Sequence, residues 1–157
     1  MIRRTVKIRE KEVCKGIFIV KALRRNITID EAICPCSCGA TPSSALLDNI
    51  QSLRDRVGFA LPFNSIVRCP PYNRKIGGSI ISAHLLSLEV GPFGAVDIGI
   101  KPRSRKDGGY PDKTFRIITV AKELGANNIE VCDGHIHIGW VPFEHPMFET
   151  LYWGRSK

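Results

Sequence analysis

Four histidines and a few well-placed carboxylates are the residues of this chain whose types allow hydrolytic chemistry, and their spacing gathers most of them into one set. Ser82-Ala83-His84 is followed thirteen positions after the histidine by Asp97, and later by His135-Ile136-His137. Two imidazoles and one carboxylate, drawn from three separate segments, are what a catalytic zinc site needs. Zinc takes nitrogen and carboxylate oxygen, and three protein ligands leave a fourth position for water. The surrounding segments read as strand or strand edge, so a sheet could hold the ligands rigidly. His-x-His pairs on strands also occur as ordinary surface residues, and residue type alone leaves both readings open. His145, after Pro142 near the terminus, is most simply a surface residue.

The elements that must position this set are legible in part. Ala95-Val96-Asp97-Ile98-Gly99-Ile100 alternates with period two. Val96, Ile98 and Ile100 then face a core, and Asp97 lies on the opposite face between the small residues Ala95 and Gly99, which leave room for an ion and a substrate. Asn128–Cys132 and His135–Trp140 flank Asp133-Gly134, a strong hairpin signal. In the second of these strands His135, His137 and Gly139 share one face. Thr41-Pro42-Ser43-Ser44 opens the clearest helix, with Thr41 as cap, Pro42 at the first helical position, and Leu46, Leu47, Ile50, Leu53 and Val57 on one side. Gly58 ends it. Leu61–Val67 reads as a strand leading into a polar loop, Arg68–Ser82. Lys101–Gly109 reads as a basic loop before a second amphipathic helix, from about Asp112 to Leu124, closed by Gly125. Thr5–Val20 reads as a strand or extended arm. This order implies an α+β domain with a small, mostly antiparallel sheet and helices packed on one side.

A chain of 157 residues has the length of one domain, large enough to bury a core without staples. Within it, residues 1–28 read as a basic N-terminal arm or strands, about 29–140 as the core, and 141–157 as a C-terminal tail. The net charge of +8 favours polyanions: nucleic acid, anionic cell-wall polymers or membrane surfaces. The excess lies in Met1–Arg25 and Lys101–Lys106, and neither is interleaved with aromatics as a single-strand binding groove would be, which argues against nucleic acid. The apolar run Gly16–Val20 is far too short for a signal h-region or a membrane span. The expectation is therefore synthesis in the cytoplasm without a signal peptide, no membrane partner, and release by another route if the protein acts outside. Six cysteines are present, three of them in Cys34-Pro35-Cys36-Ser37-Cys38. That run lacks the C-x2-C spacing of a zinc knuckle and a clear matching pair, so reduced, partly buried thiols are the simplest reading.

Arg68-Cys69-Pro70-Pro71-Tyr72-Asn73-Arg74-Lys75-Ile76-Gly77-Gly78, then Ser82-Ala83-His84, Ala95-Val96-Asp97-Ile98 and His135-Ile136-His137 resemble the M15-type zinc D-Ala-D-Ala carboxypeptidases, in particular their short phage and prophage relatives. The resemblance covers roughly Ile29 to Trp140. It implies the carboxypeptidase/hedgehog-like fold with Zn2+ at the sheet, held by His84, Asp97 and His137. It also implies that Arg68 holds the substrate's terminal carboxylate, a task that suits a guanidinium fork, and that Ser82 bonds substrate or orients its loop. By residue type alone, Arg68 also reads as a salt-bridged surface residue. The implied activity is hydrolysis of peptidoglycan stem peptides, at D-Ala-D-Ala or at an L-Ala–D-amino-acid link, by a phage lysis enzyme or a virion-borne wall hydrolase.

Two departures from the family pattern stand out. The spacer between His84 and Asp97 is long, with twelve residues from Leu85 to Val96, and is expected to form a loop that lines the cleft or bulges outward. The glutamate that many members carry three residues before the last ligand is Gly134 here. A proton acceptor is still needed, and the candidates are His135 on the ligand's own face, Asp133 at the turn and Glu130 on the preceding strand. His135 is preferred, with Asp133 second. Gly134 favours a rival reading, a zinc-binding or metal-free wall-binding or virion structural protein without catalysis; a second rival is a basic nucleic-acid-binding protein using Cys34–Cys38 as a knuckle.

Overall fold

The computed structural model describes residues 22–88, 91–100 and 112–155. The expected arm over Thr5–Val20 and the basic loop over Lys101–Gly109 lie outside these residues. In chain order the elements are β1 (Ala22–Arg24), β2 (Ile27–Thr28), α1 (Ile29–Ala32), α2 (Ser44–Val57), β3 (Phe63–Ser65), α3 (Pro70–Lys75), α4 (Ala83–Leu86), β4 (Gly94–Gly99), α5 (Asp112–Glu123), β5 (Asn128–Cys132), β6 (His135–Trp140) and β7 (Thr150–Arg155).

Period-two alternation carries the main sheet, whose strand order is β3-β4-β6-β5-β7. β4 and β6 pair antiparallel, with Val96 opposite Ile138 and Asp97 opposite His137. β5 pairs with the other side of β6, with Glu130 opposite His137 and Cys132 opposite His135. Partners directly across a ladder project to the same face, so Asp97, His137 and Glu130 form one row across three strands. Asp133-Gly134 makes the β5–β6 turn, where Gly134 has φ +82°, a left-handed conformation that glycine adopts without steric cost.

The architecture is α+β and the sheet mostly antiparallel, as expected. β7, within the segment read as a tail, adds one parallel pairing, with β5. Ile129 and Val131 make β5 apolar, and β7 covers an edge that would otherwise be open. The helices also flank both faces. α2 and α5 pack against the Val96, Ile98, Ile136 and Ile138 face, where Leu46, Ile50 and Leu53 are fully buried. Each such side chain contributes about 1.5–3 kcal/mol. The short α4 lies over the opposite face, with Ala83 and Leu86 against Ala95 and Val141.

Local chemistry explains the helix boundaries. α2 begins one turn's edge later than expected: Ser43, not Thr41, is the cap, its Oγ accepting from the Leu46 N–H at 3.2 Å, while its own N–H donates to the Ser87 carbonyl at 3.0 Å. Gly58 closes the helix in the left-handed conformation. α3 falls inside the segment read as a polar loop; Cys69 caps it and Pro70-Pro71 occupy its first positions, which need no N–H partner. α1 is held by a reciprocal capping box between Thr28 and Glu31, and Arg54 from α2 bonds Glu31 at 2.9 Å. In the long spacer, Gly91 and Pro92 are held at α2: the Ser43 hydroxyl donates to the Gly91 carbonyl and Asn49 Nδ2 to the Pro92 carbonyl. Among the described residues, no helix is long and apolar enough to cross a membrane.

Candidate metal centre

Three elements deliver the candidate ligands. β4 places Asp97 on the face away from the main core, β6 places His137 directly opposite it, and α4 places His84 above them. His84 therefore comes from a helix rather than from the strand edge expected. One ligand atom from each of His84, Asp97 and His137 lies within 4.8 Å of the other two. His84 Nε2 is 3.2 Å and His137 Nδ1 2.9 Å from Asp97 Oδ1. The two rings are edge to face, with centroids 5.0 Å apart. His84 is completely buried and Asp97 nearly so.

The far nitrogen of each ring decides what this convergence means. His84 Nδ1 sits 2.8 Å from the Ile66 carbonyl oxygen, and His137 Nε2 sits 2.9 Å from Asn128 Oδ1. Both neighbours are oxygens, and a carbonyl oxygen can only accept. Each imidazole therefore carries its proton on the outer nitrogen and turns a lone pair toward Asp97. Two nitrogen lone pairs and a carboxylate oxygen facing one another repel unless a cation sits among them. His84 Nε2 is buried and makes no hydrogen bond, which fits a ligand atom. The donor set of two neutral imidazoles and one carboxylate fits zinc, and the outer bonds to Ile66 and Asn128 are the supports such ligands use to fix ring orientation.

The electrostatics agree. Burial penalises the imidazolium form and pushes the His84 pKa down, outweighing the attraction of Asp97. Arg68 pairs with the Asp97 carboxylate. A neutral His84 and an ionised Asp97 are the protonation states in which these side chains bind metal.

Around this trio lies a cleft of about 330 Å³ lined by Arg68, Ser82, Glu130, His135 and the three candidate ligands, among others. Arg68 donates from Nη2 to Asp97 Oδ2 and from Nε to Ser65 Oγ at 3.0 Å. It is therefore an ion-pair partner of the aspartate and a wall of the cleft at once. Ser82 caps α4 without a side-chain capping bond and lines the cleft. His135 lines the cleft from the same strand face as His137. Asp133 is exposed at the turn and is not part of the lining.

A profile of the Peptidase M15 family matches residues 16–139, most of the chain. The chain belongs to the M15 peptidase family. M15 peptidases are zinc enzymes of the general D-Ala-D-Ala carboxypeptidase type, and the trio of His84, Asp97 and His137 is the candidate ligand group of this member. No curated protein and no solved structure matches the chain significantly.

Two contributors escaped the sequence reading. Asn128, first residue of β5, reaches across to His137, and Gly139 makes that reach possible: a Cβ at Gly139 would stand 2.9 Å from Asn128 Oδ1. Pairing of Asn128 with Gly139 follows from the hairpin register, so the signal was present once the turn at Asp133-Gly134 was assigned.

Proposed function

We propose that this M15 peptidase hydrolyses a peptide bond in the stem peptides of bacterial peptidoglycan, close to a free carboxylate. The observation that carries the reading is the convergence of His84 Nε2, Asp97 Oδ1 and His137 Nδ1, each with a lone pair turned inward, on the floor of a cleft that also presents a guanidinium. Zinc held by these three residues would supply Lewis acidity, polarising a carbonyl and acidifying a water toward a pKa of about 7.

The chain's own residues do the rest. A guanidinium has five N–H donors, and the bonds to Asp97 and Ser65 leave several of them for a substrate carboxylate. Arg68 thus fixes the end of the peptide relative to Asp97, so that the scissile bond lies over the trio. The Ser82 hydroxyl borders the same cleft and suits a peptide N–H or carbonyl. Glu130, across from His137, takes the proton of the attacking water on its carboxylate and hands it to the leaving amine nitrogen. His135, next along that face, lines the substrate path. This reverses the preference drawn from the sequence, where His135 led; the reason is that Glu130 shares the row of Asp97 and His137.

The position where many relatives carry their glutamate explains why the acid would come from elsewhere. Gly134 has φ +82°, and a side chain there is strained whatever its chemistry. The tight turn excludes a glutamate, and the paired strand supplies one. If Glu130 does not act, the same geometry suits a zinc-bearing wall-binding protein without turnover, at the bacterial wall after lysis or within a virion. Digestion of purified peptidoglycan, with and without a chelator and with mass identification of the products, separates the two. New amine termini or free D-alanine that disappear with chelator support the peptidase; one equivalent of zinc and no cleavage of wall or stem peptide would overturn it.

A further inference from the structure

Away from the cleft floor, the thiols of Cys34, Cys36, Cys38 and Cys69 lie within 4.8 Å of one another. We propose that these four cysteines form a second metal site, structural rather than catalytic, that binds zinc through four thiolates and ties the Cys34–Ala40 loop to the root of α3.

The geometry is that of a tetrahedral sulfur site. Zinc–thiolate bonds of about 2.3 Å place sulfurs about 3.8 Å apart along each tetrahedral edge. Cys34 Sγ is 3.3 Å from Cys36 Sγ, and Cys36 Sγ is 3.5 Å from Cys69 Sγ. These separations are far above the roughly 2.05 Å of a disulfide, and none of the four is disulfide-bonded. Soft thiolates in a four-sulfur set select zinc among the common hard and borderline cations.

The backbone is shaped to gather them. In an extended chain, alternate residues stand about 6.5–7 Å apart, too far for three thiols to share one ion. Here the loop closes on itself: the Cys34 N–H donates to the Ala40 carbonyl at 2.9 Å and the Ser37 N–H to the Cys34 carbonyl at 3.0 Å. Ser37 and Gly39 both take left-handed conformations, with φ of 59° and 78°, an unusual state for a serine. The fourth thiol arrives from residue 69, the cap of α3, and is the matching partner that the Cys34–Cys38 run lacked on its own. Two backbone N–H groups point at the sulfurs, Cys69 N–H to Cys34 Sγ and Tyr72 N–H to Cys69 Sγ, each at 3.4 Å. On binding, each thiol gives up its proton to solvent as its sulfur bonds the metal, with no change of oxidation state.

The site has a structural consequence for its neighbour. Cys69 follows Arg68 directly, and Arg68 grips Asp97. A metal that anchors Cys69 also fixes where the Arg68 side chain leaves the backbone. The proposal does not depend on the peptidase reading, since it concerns thiols that do not line the cleft.

Zinc analysis of the full chain, purified under reducing conditions with zinc alone, tests it. The wild type should hold two equivalents, and a His84→Ala/His137→Ala variant should keep one, with an X-ray absorption shell of sulfur alone at about 2.3 Å. A Cys36→Ser/Cys38→Ser variant should lose that equivalent and keep the nitrogen- and oxygen-bound one. If the cysteine variant does not fold, the thiols of native wild type decide: four should be protected from alkylation with zinc present and react after chelation. Zinc-free His84→Ala/His137→Ala protein, a nitrogen or oxygen shell in that variant, four thiols equally reactive with and without zinc, or a disulfide within the cluster of freshly purified protein would each overturn the site. Loss of cleavage with the sulfur-bound zinc retained would bear on the peptidase reading alone.

Discussion

Asn128 Oδ1 stands 2.9 Å from His137 Nε2, and through that contact a residue outside the candidate ligand set determines which nitrogen of the histidine faces Asp97. A neutral imidazole has one donor and one acceptor nitrogen, so fixing one fixes the other.

Removing this support should loosen the metal without removing a ligand. Asn128→Ala is expected to weaken zinc binding about 10–100-fold, the usual range for loss of such an outer bond. Gly139→Ala should act in the same direction, because its Cβ would meet the Asn128 amide at 2.9 Å. Competition against a chromogenic chelator measures both. Unchanged affinity in Asn128→Ala would mean that the tautomer is set elsewhere.

Glu130 and His135 are separable by their readouts. Glu130→Gln is expected to lower kcat by about 10²–10⁴-fold, the contribution of a positioned acid–base group, with zinc content unchanged. His135→Ala should act mainly on KM. The opposite pattern, a turnover collapse in His135→Ala alone, would assign the proton to the histidine.

Arg68 carries two bonds that a lysine cannot reproduce together, since lysine offers a point charge in place of a planar fork. Arg68→Lys should keep one equivalent of zinc at the trio and lower kcat/KM on stem peptides by tenfold or more, which is about 1.4 kcal/mol. Substrates amidated at the C-terminus should lose most of this difference. An equal penalty on acid and amide would remove the carboxylate role and leave Arg68 as a support of Asp97.

Acid sensitivity should be traceable to the capping box under α1. Burial alone would raise the Glu31 carboxyl, but the Thr28 N–H, the Arg54 guanidinium and the Thr28 hydroxyl outweigh it, and the group lies below its ordinary value of 4.5. A depressed carboxylate stabilises the fold above its unfolded pKa, and that contribution is lost as pH falls through the folded one. Glu31→Ala should therefore cost about 1 kcal/mol at pH 7, and the gap to wild type should close as the pH falls below that value. Urea unfolding across the acid range measures it; a gap that persists in acid would point to packing rather than charge.

The parts of this fold that the sequence exposed are those with a local period. Val96, Ile98, Ile136 and Ile138 alternate with residues of another character, and Asp133-Gly134 is a turn by its own chemistry, so β4, β5 and β6 were legible with nearly correct ends. α3 and α4 are six and four residues long, too short for an apolar stripe to register, which is why His84 was assigned to a strand edge. β7 pairs with β5 across some twenty residues, and parallel pairing leaves no mark on either segment alone. The trio could be named from residue types and the M15 resemblance. Asn128 could not, because its role depends on a register and on an absent side chain at Gly139.

Between His84 and Asp97, Gly91 meets the start of α2 through Ser43, and the chain re-enters the sheet at Gly94. Distance along the chain and distance in space are thereby uncoupled: the ligands keep their separation whatever the loop's length, provided its ends reach the same two anchors. A lineage can lengthen or trim this segment, or acquire new binding loops there, without retuning the metal. A search that insists on a fixed interval between histidine and aspartate would pass over such chains, whereas one that looks for the cross-strand pair of Asp97 and His137 would not depend on that interval.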